Sequence, residues 1–322
     1  MAYPESKSFE IGMYVSLSTL VFINLIGNTL VILVILTNRT MKSPMNYLLV
    51  NLAVADIMVG AFIVPPLLFK QFFTHPEGIA GAIACKVLTG GSLTWVGSAA
   101  SAFSLVGISF ERYFAVIHPH STKLRLTFRK VKRVVKGSWT FALVMNIPLF
   151  ATLAYDKVIN LCVEEWPEQQ IGSAYGTLWF LAVGVLPIAI MFGLYSRVVY
   201  TLWFKRSKNQ VPATQLSILK SRKRLTKMIF TVSIIYAICW LPDLTIYLLH
   251  LYNVKFGYAG LPNIIGVILV TCNSAVNPFV YTFQSEKFRR HLKGLVLCRK
   301  HRRNRVANAI LKIFVETGAT PL

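Results

Sequence analysis

Apolar residues fall in seven runs separated by shorter polar segments, at about 11–37, 44–73, 83–117, 132–154, 172–204, 224–251 and 259–283. A helix rises about 1.5 Å per residue and the hydrocarbon core of a bilayer is about 30 Å thick, so each run is long enough to span. The pattern predicts an all-α bundle of seven transmembrane helices over residues 11–283, after a short segment 1–10. The first run lacks the basic leader and small-residue cleavage site of a signal peptide and is read as a retained helix. Beyond the last run the period changes. Phe288, Leu292, Leu295 and Val296 share one helical face, flanked by Lys287, Arg289, Arg290 and Lys293. Residues 284–298 are therefore expected as a short amphipathic eighth helix on the membrane surface. Residues 299–322 form a tail whose basic stretch, Arg299 to Arg305, suits anionic lipid.

Composition agrees: 55% of residues are hydrophobic and 14% charged, against about 25% charged in soluble domains. The formal net charge is +22. In a soluble chain that would suggest nucleic acid. Here the basic residues sit in alternate loops. Arg39, Lys42, Lys123, Arg125, Arg129, Lys130, Lys205, Arg206, Lys220, Arg222 and Lys223 all fall on the side of Arg112, as does the tail. The other side holds only Lys7, Lys70, Lys86, Lys157 and Lys255, against seven acids. Positive residues stay in the cytoplasm. The Arg112 side is then cytoplasmic and the N-terminus outside, facing a mildly acidic outer surface. No nucleic-acid partner is expected.

Polar groups inside the runs are costly and mark function. Asp56 is a lone carboxylate near mid-membrane. It is either a neutral, hydrogen-bonded helix contact or a cation site, with Ser101, Asn273, Ser274 and Asn277 as neutral oxygens around one charge. Glu111 and Arg112 are adjacent charges at the end of the third run. Prolines at 65, 66, 148, 187, 242 and 278 interrupt the helices. Pro242 follows Trp240 and Pro278 follows Asn277. Asp243, just past Pro242, is a second intramembrane carboxylate and needs a partner.

Four short motifs stand on the second, third, sixth and seventh runs: Asn51 to Asp56, Glu111-Arg112-Tyr113, Trp240-Leu241-Pro242, and Asn277-Pro278-Phe279-Val280-Tyr281. Each is weak alone. Together, each on its expected run, they resemble the rhodopsin-like (class A) G-protein-coupled receptors from Gly27 to Cys298. Cys162 to Pro167 and Tyr195-Ser196-Arg197 are similar to receptors for small amidated neuropeptides (the neuropeptide FF, orexin and galanin groups). The resemblance implies a plasma-membrane receptor that binds an extracellular ligand and activates a heterotrimeric G protein. It implies a disulfide between Cys85 and Cys162, both on the oxidising side. It implies a sodium pocket at Asp56, Ser101, Asn273 and Asn277, with no other cofactor. Activation and coupling would pass through Glu111, Arg112, Tyr113, Tyr195, Pro242, Pro278 and Tyr281. Cys298, after the amphipathic stretch, is a candidate for S-acylation, while Cys239 and Cys272 are packing residues.

The ligand pocket should be lined by helical faces spaced three and four residues apart. Gly91, Thr94, Trp95 and Ser98 supply the third, with Trp240, Asp243, Leu244, Tyr247 and His250 on the sixth. Asn263, Val267 and Thr271 supply the seventh. Thr94 replaces the Asp of amine receptors, and Thr271 the retinal-bearing Lys of light receptors. Asp243, Glu164 and Glu165 would attract a basic peptide. A lipid or other small molecule is the alternative ligand.

Several residues depart from the family pattern. Glu111 replaces the commoner Asp, Tyr236 a Phe, Ala102 a bulky Ile, and His120 an apolar residue. No acid occurs in Lys220 to Lys227, so a salt bridge from Arg112 to the sixth span is not expected and the resting state should lean on Glu111. A channel or transporter is opposed by the odd span number and the lack of a repeat. No zinc-binding His pair, phosphate loop or nucleophile–base set argues for an enzyme.

Overall fold

The computed structural model describes residues 7–67, 75–157, 161–205, 213–253 and 261–295. Among these, seven helices are long and apolar enough to cross a membrane: Ile11–Thr37, Pro44–Phe62, Gly78–Ile117, Phe128–Thr152, Gln169–Trp203, Lys223–Leu251 and Leu261–Gln284. They are called the first to seventh spans below. The third packs against the second, fourth, fifth and sixth, and the seventh closes the bundle against the first and sixth.

Local chemistry sets the boundaries. Ser43 caps the second span by accepting from the Asn46 N–H at 3.3 Å, with Pro44 in the first turn, where its missing N–H is no loss. Thr127 caps the fourth in the same way, accepting from the Lys130 N–H at 3.3 Å. The second span ends at Phe62, and a short helix, Val64–Leu67, follows. The proline pair at 65 and 66 supplies no N–H to carry the first helix onward. The apolar run had suggested a span reaching about residue 73; residues 68–74 lie outside the described structure.

The third span is not one uniform helix. A helical segment Gly78–Ala84 passes through a π turn at Cys85–Thr89, and the α-helix restarts at Ser92. Gly91 has φ +75°, which favours glycine. At Gly90, an added Cβ would lie 2.4 Å from the Cys85 carbonyl oxygen. Hydrophobic periodicity does not show such a break, because Lys86 is the only charged residue between Cys85 and Ser92 and the rest are apolar or small.

One hairpin joins the fourth and fifth spans. Strand β1 (Leu153–Asp156) pairs antiparallel with β2 (Leu161–Glu164), bringing Tyr155 opposite Cys162. The Cys85–Cys162 disulfide ties β2 to the third span.

At the other end of the bundle, residues 286–295 form the eighth helix. Its first turn is capped by Ser285 Oγ, which accepts from the Phe288 N–H at 3.2 Å. Phe288 is buried and Leu292 and Leu295 pack partly against the core, so the apolar face predicted for this helix rests on the bundle. Lys287 Nζ donates to the Thr40 carbonyl at 2.6 Å, and His291 lies 3.0 Å from the Thr40 hydroxyl. Val296, Cys298 and the basic tail lie outside the described residues.

Candidate functional site: a pocket under the hairpin and a polar column below it

A narrow cavity of about 30 Å³ opens beside β2, lined by Trp95, Leu149, Glu164, Tyr175, Trp179, Asp243, Leu244, Tyr247 and Asn263. The third, sixth and seventh spans contribute as the sequence suggested. The fourth and fifth add Leu149, Tyr175 and Trp179, which the sequence reading missed. Tyr175 and Trp179 are four residues apart, with rings 6.1 Å apart and nearly parallel. That i, i+4 aromatic spacing was the available signal.

The two consecutive acids predicted for the pocket separate. Glu164 turns inward, where its Oε2 accepts from Trp166 Nε1 and from the Tyr247 hydroxyl, each at 2.9 Å. Glu165 is exposed on the far side of the hairpin, in a separate cleft with His75, Lys86 and Lys157. Successive residues of an extended chain point to opposite faces, so adjacent acids cannot both enter one pocket. Burial pushes the Glu164 carboxyl above the usual range, and the bonds from Trp166 and Tyr247 only partly offset it.

Asp243 differs from Glu164. It is 6% exposed and has no hydrogen-bond or ion-pair partner among the described residues. Gly266 of the seventh span permits its position, since a Cβ there would lie 2.6 Å from Asp243 Oδ1. A buried carboxylate without a partner is costly, and such a group either takes a proton or meets a cation. Tyr247 and Asn263 line the cavity as expected, while Val267 is half-buried one turn past Asn263. Thr94 and Ser98 lie deeper along the third span, buried, with hydroxyls that have no partner among the described residues.

Below the cavity Trp240 is 1% exposed. It meets Trp95 edge-on at 6.3 Å and lies roughly parallel to Tyr236 at 5.7 Å. Further down is Asp56, fully buried. Ser101 Oγ donates to its Oδ1 at 3.1 Å and Asn277 Nδ2 to its Oδ2 at 2.7 Å. Asn24, which the sequence reading passed over, donates to the Asp56 backbone carbonyl at 2.9 Å and to it Asn28 is bonded in turn. Asn273 is buried without a bond to Asp56. The Oδ1 atoms of Asn273 and Asn277 have no partner among the described residues. A carboxylate beside unpaired amide oxygens is a donor set that fits a small hard cation.

At the lower end Arg112 is paired with Glu111, both side chains about one-tenth exposed. Tyr195, two turns beyond Pro187, shares a 3.0 Å hydrogen bond with Ser109. Tyr113 packs against the Val116, Val198 and Leu202 cluster. Tyr281 is buried, with its hydroxyl unpartnered among the described residues. Pro278 lies in the seventh helix against Gly27, where a Cβ would come within 2.9 Å of its ring. Pro242 lies inside the sixth helix, next to Asp243. Among the described residues no acid of the sixth span meets Arg112. A different restraint is present: Arg224 Nη1 is 2.7 Å from Glu286 Oε1 on the eighth helix. An expectation confined to the third–sixth contact could not anticipate this pair, whose acid comes from a different helix.

A seven-span bundle with a pocket at one end and a paired arginine at the other is the architecture of a membrane receptor. Residues 27–281 match the 7 transmembrane receptor (rhodopsin family) profile, and the chain belongs to that family. It is a G-protein-coupled receptor, not an enzyme. Similar proteins include the Neuropeptide FF receptor 2 of Rattus norvegicus, 29% identical over 83% of this chain and 68% of the relative. The QRFP-like peptide receptor of Branchiostoma floridae is 25% identical over 93% and 80%. The Allatostatin-A receptor of Bombyx mori is 30% identical over 86% and 77%.

Proposed function

We propose that this receptor lies in the plasma membrane with its N-terminus outside and responds to a small peptide carrying a cationic group. The observation that carries this reading is Asp243, a buried carboxylate without a partner among the described residues, in a cavity walled by aromatic rings. A guanidinium or ammonium group entering there would gain an ion pair and ring faces together. The mildly acidic outer surface would draw such a peptide in. The names of the relatives, all peptide receptors, support the same ligand class.

Glu164 has a different part in this reading. Its bonds to Trp166 and Tyr247 tie the strand β2 to the sixth span, so the hairpin roofs the pocket. Peptide contact would move the Trp95–Trp240 pair and, through it, the sixth span. Arg112 would then leave Glu111 and meet the G protein. Asp56, Ser101, Asn273 and Asn277 would hold sodium in the resting state, which favours that arrangement. The basic loops and tail would lie against anionic lipid, with Cys298 as a site of S-acylation.

The test is expression in cells with calcium and cyclic-AMP read-outs, challenged with an amidated-peptide library and then a lipid and amine panel. A response to cationic peptides is expected. A response confined to the lipid panel, surviving truncation of the hairpin between the fourth and fifth spans, would overturn the peptide reading.

A further inference from the structure

His75 stands where the outer end of the third span meets the hairpin. Tyr155 and Cys162 are opposite each other in the β1–β2 pair, so their side chains share one face of it. The His75 ring stacks on Tyr155 with centroids 3.8 Å apart. Its Nε2 is then 4.0 Å from Cys162 Sγ and 3.2 Å from the Thr89 hydroxyl, which lies 3.2 Å from the same sulfur. The other ring nitrogen, Nδ1, is 3.1 Å from the Pro76 carbonyl oxygen. A carbonyl only accepts, so Nδ1 carries the proton and the Nε2 lone pair faces the disulfide. Gly81 makes this arrangement possible, because a Cβ there would collide with the Pro76 oxygen and lie 3.3 Å from His75 Nδ1. The ligating atoms of His75, Cys85 and Cys162 all lie within 4.8 Å of one another.

We propose that His75, Cys85 and Cys162 give this junction a second, metal-held state, binding zinc once an extracellular thiol has opened the disulfide. Cys85 is 0% exposed and Cys162 half-buried, so the attack falls on Cys162. The thiolate of the reductant bonds to Cys162 Sγ, and the electron pair of the S–S bond leaves on Cys85. A second thiol attacks the reductant sulfur of the mixed disulfide and releases the Cys162 thiolate. One thiol pair is oxidised as the cysteine pair is reduced, and the two protons given up by the reductant pass to water. Zinc then takes both thiolates and the Nε2 lone pair. Two thiolates and an imidazole suit zinc, with bonds of about 2.0–2.3 Å that put ligand atoms about 3.5–4 Å apart. The fourth position is open to water, since His75 lines the outer cleft. The Pro76 carbonyl orients the imidazole from behind, as outer partners of metal-bound histidines do. The ion would tie β2 to the third span in place of the covalent bond.

The test uses purified receptor without agonist, so its failure would leave the peptide reading untouched. The disulfide is reduced with a water-soluble phosphine, which adds no competing thiol, and thermal stability is measured with and without zinc ions present throughout. Zinc should restore most of the stability that reduction removes and leave the oxidised receptor unchanged. His75→Phe keeps a ring against Tyr155 and removes the ligand. It should match wild type when oxidised, and when reduced need at least about tenfold more zinc for the same rescue. His75→Gln, a polar replacement without the imidazole, should lose the rescue to the same extent. No rescue of the reduced wild type would overturn the proposal. So would rescue of equal strength in wild type and the His75 variants, or zinc stabilisation of oxidised and reduced receptor alike.

Discussion

Asn277 on the seventh span donates a 2.7 Å hydrogen bond to Asp56 on the second. With Ser101 from the third at 3.1 Å, three spans meet on one carboxylate. Any shift of the seventh span against the second must rearrange this centre, because the Asn277–Asp56 bond joins the two spans.

The first prediction is reciprocal linkage at that centre. If sodium favours the resting arrangement, it must lower agonist affinity, and agonist must lower sodium affinity by the same factor. Radioligand binding in sodium and in choline buffers measures this. The sodium effect should vanish in Asp56→Asn, and its full retention there would remove Asp56 from the site.

Glu111 and Arg112 give a second. Their pair is about nine-tenths buried, where an ion pair counts for more than in bulk water. Glu111→Gln should raise basal signalling at matched surface expression. Arg112→Ala should silence agonist response while ligand binding persists. The Arg224–Glu286 pair is more than half exposed, and such pairs are worth about 0–1 kcal/mol. Glu286→Gln should therefore change basal signalling much less than Glu111→Gln, and the reverse order would transfer the main restraint to the eighth helix.

The third prediction concerns acid. Burial raises the Glu164 pKa, so the carboxyl takes a proton as pH falls through that raised value and the pocket loses a negative charge. A cationic agonist should then bind more weakly. Wild type and Glu164→Gln should converge at low pH and separate as pH rises. A ratio of affinities that is constant with pH would show that Glu164 does not titrate in the pocket.

The disulfide supports the fourth. Cys85 and Cys162 are 77 residues apart, and closing so long a loop is worth about 2–5 kcal/mol. Cys85→Ser should lower the thermal stability of the purified receptor and weaken ligand binding. Mass spectrometry finding both thiols free in surface receptor would contradict the bond.

Much of this was legible in the sequence because lipid imposes length and polarity so strictly. The seven spans followed from run length, and the Asp56 contacts to Ser101 and Asn277 from polar residues in apolar surroundings, while the Cys85–Cys162 pairing came with the family resemblance. The misses have physical reasons. The break at Gly90-Gly91 is a matter of backbone conformation, which hydrophobic periodicity does not report. Glu165 turns away from Glu164 because of strand geometry, in a loop where no strand had been read. Leu149, Tyr175 and Trp179 enter the pocket from spans that carry no charge there. The bond from the Tyr236 hydroxyl to the Val183 carbonyl needed three-dimensional proximity, although the unusual Tyr itself was visible.

The most direct test of the account compares wild type and Asp243→Asn against a cationic agonist peptide and its citrulline or norleucine analogue. Losing one partner of a buried charge pair costs about 2 kcal/mol or more, roughly 30-fold in affinity. Asp243→Asn should weaken the cationic peptide by at least about that factor, yet leave the neutral analogue nearly unchanged. An equal effect on both peptides, or none on the cationic one, would contradict Asp243 as the anchor.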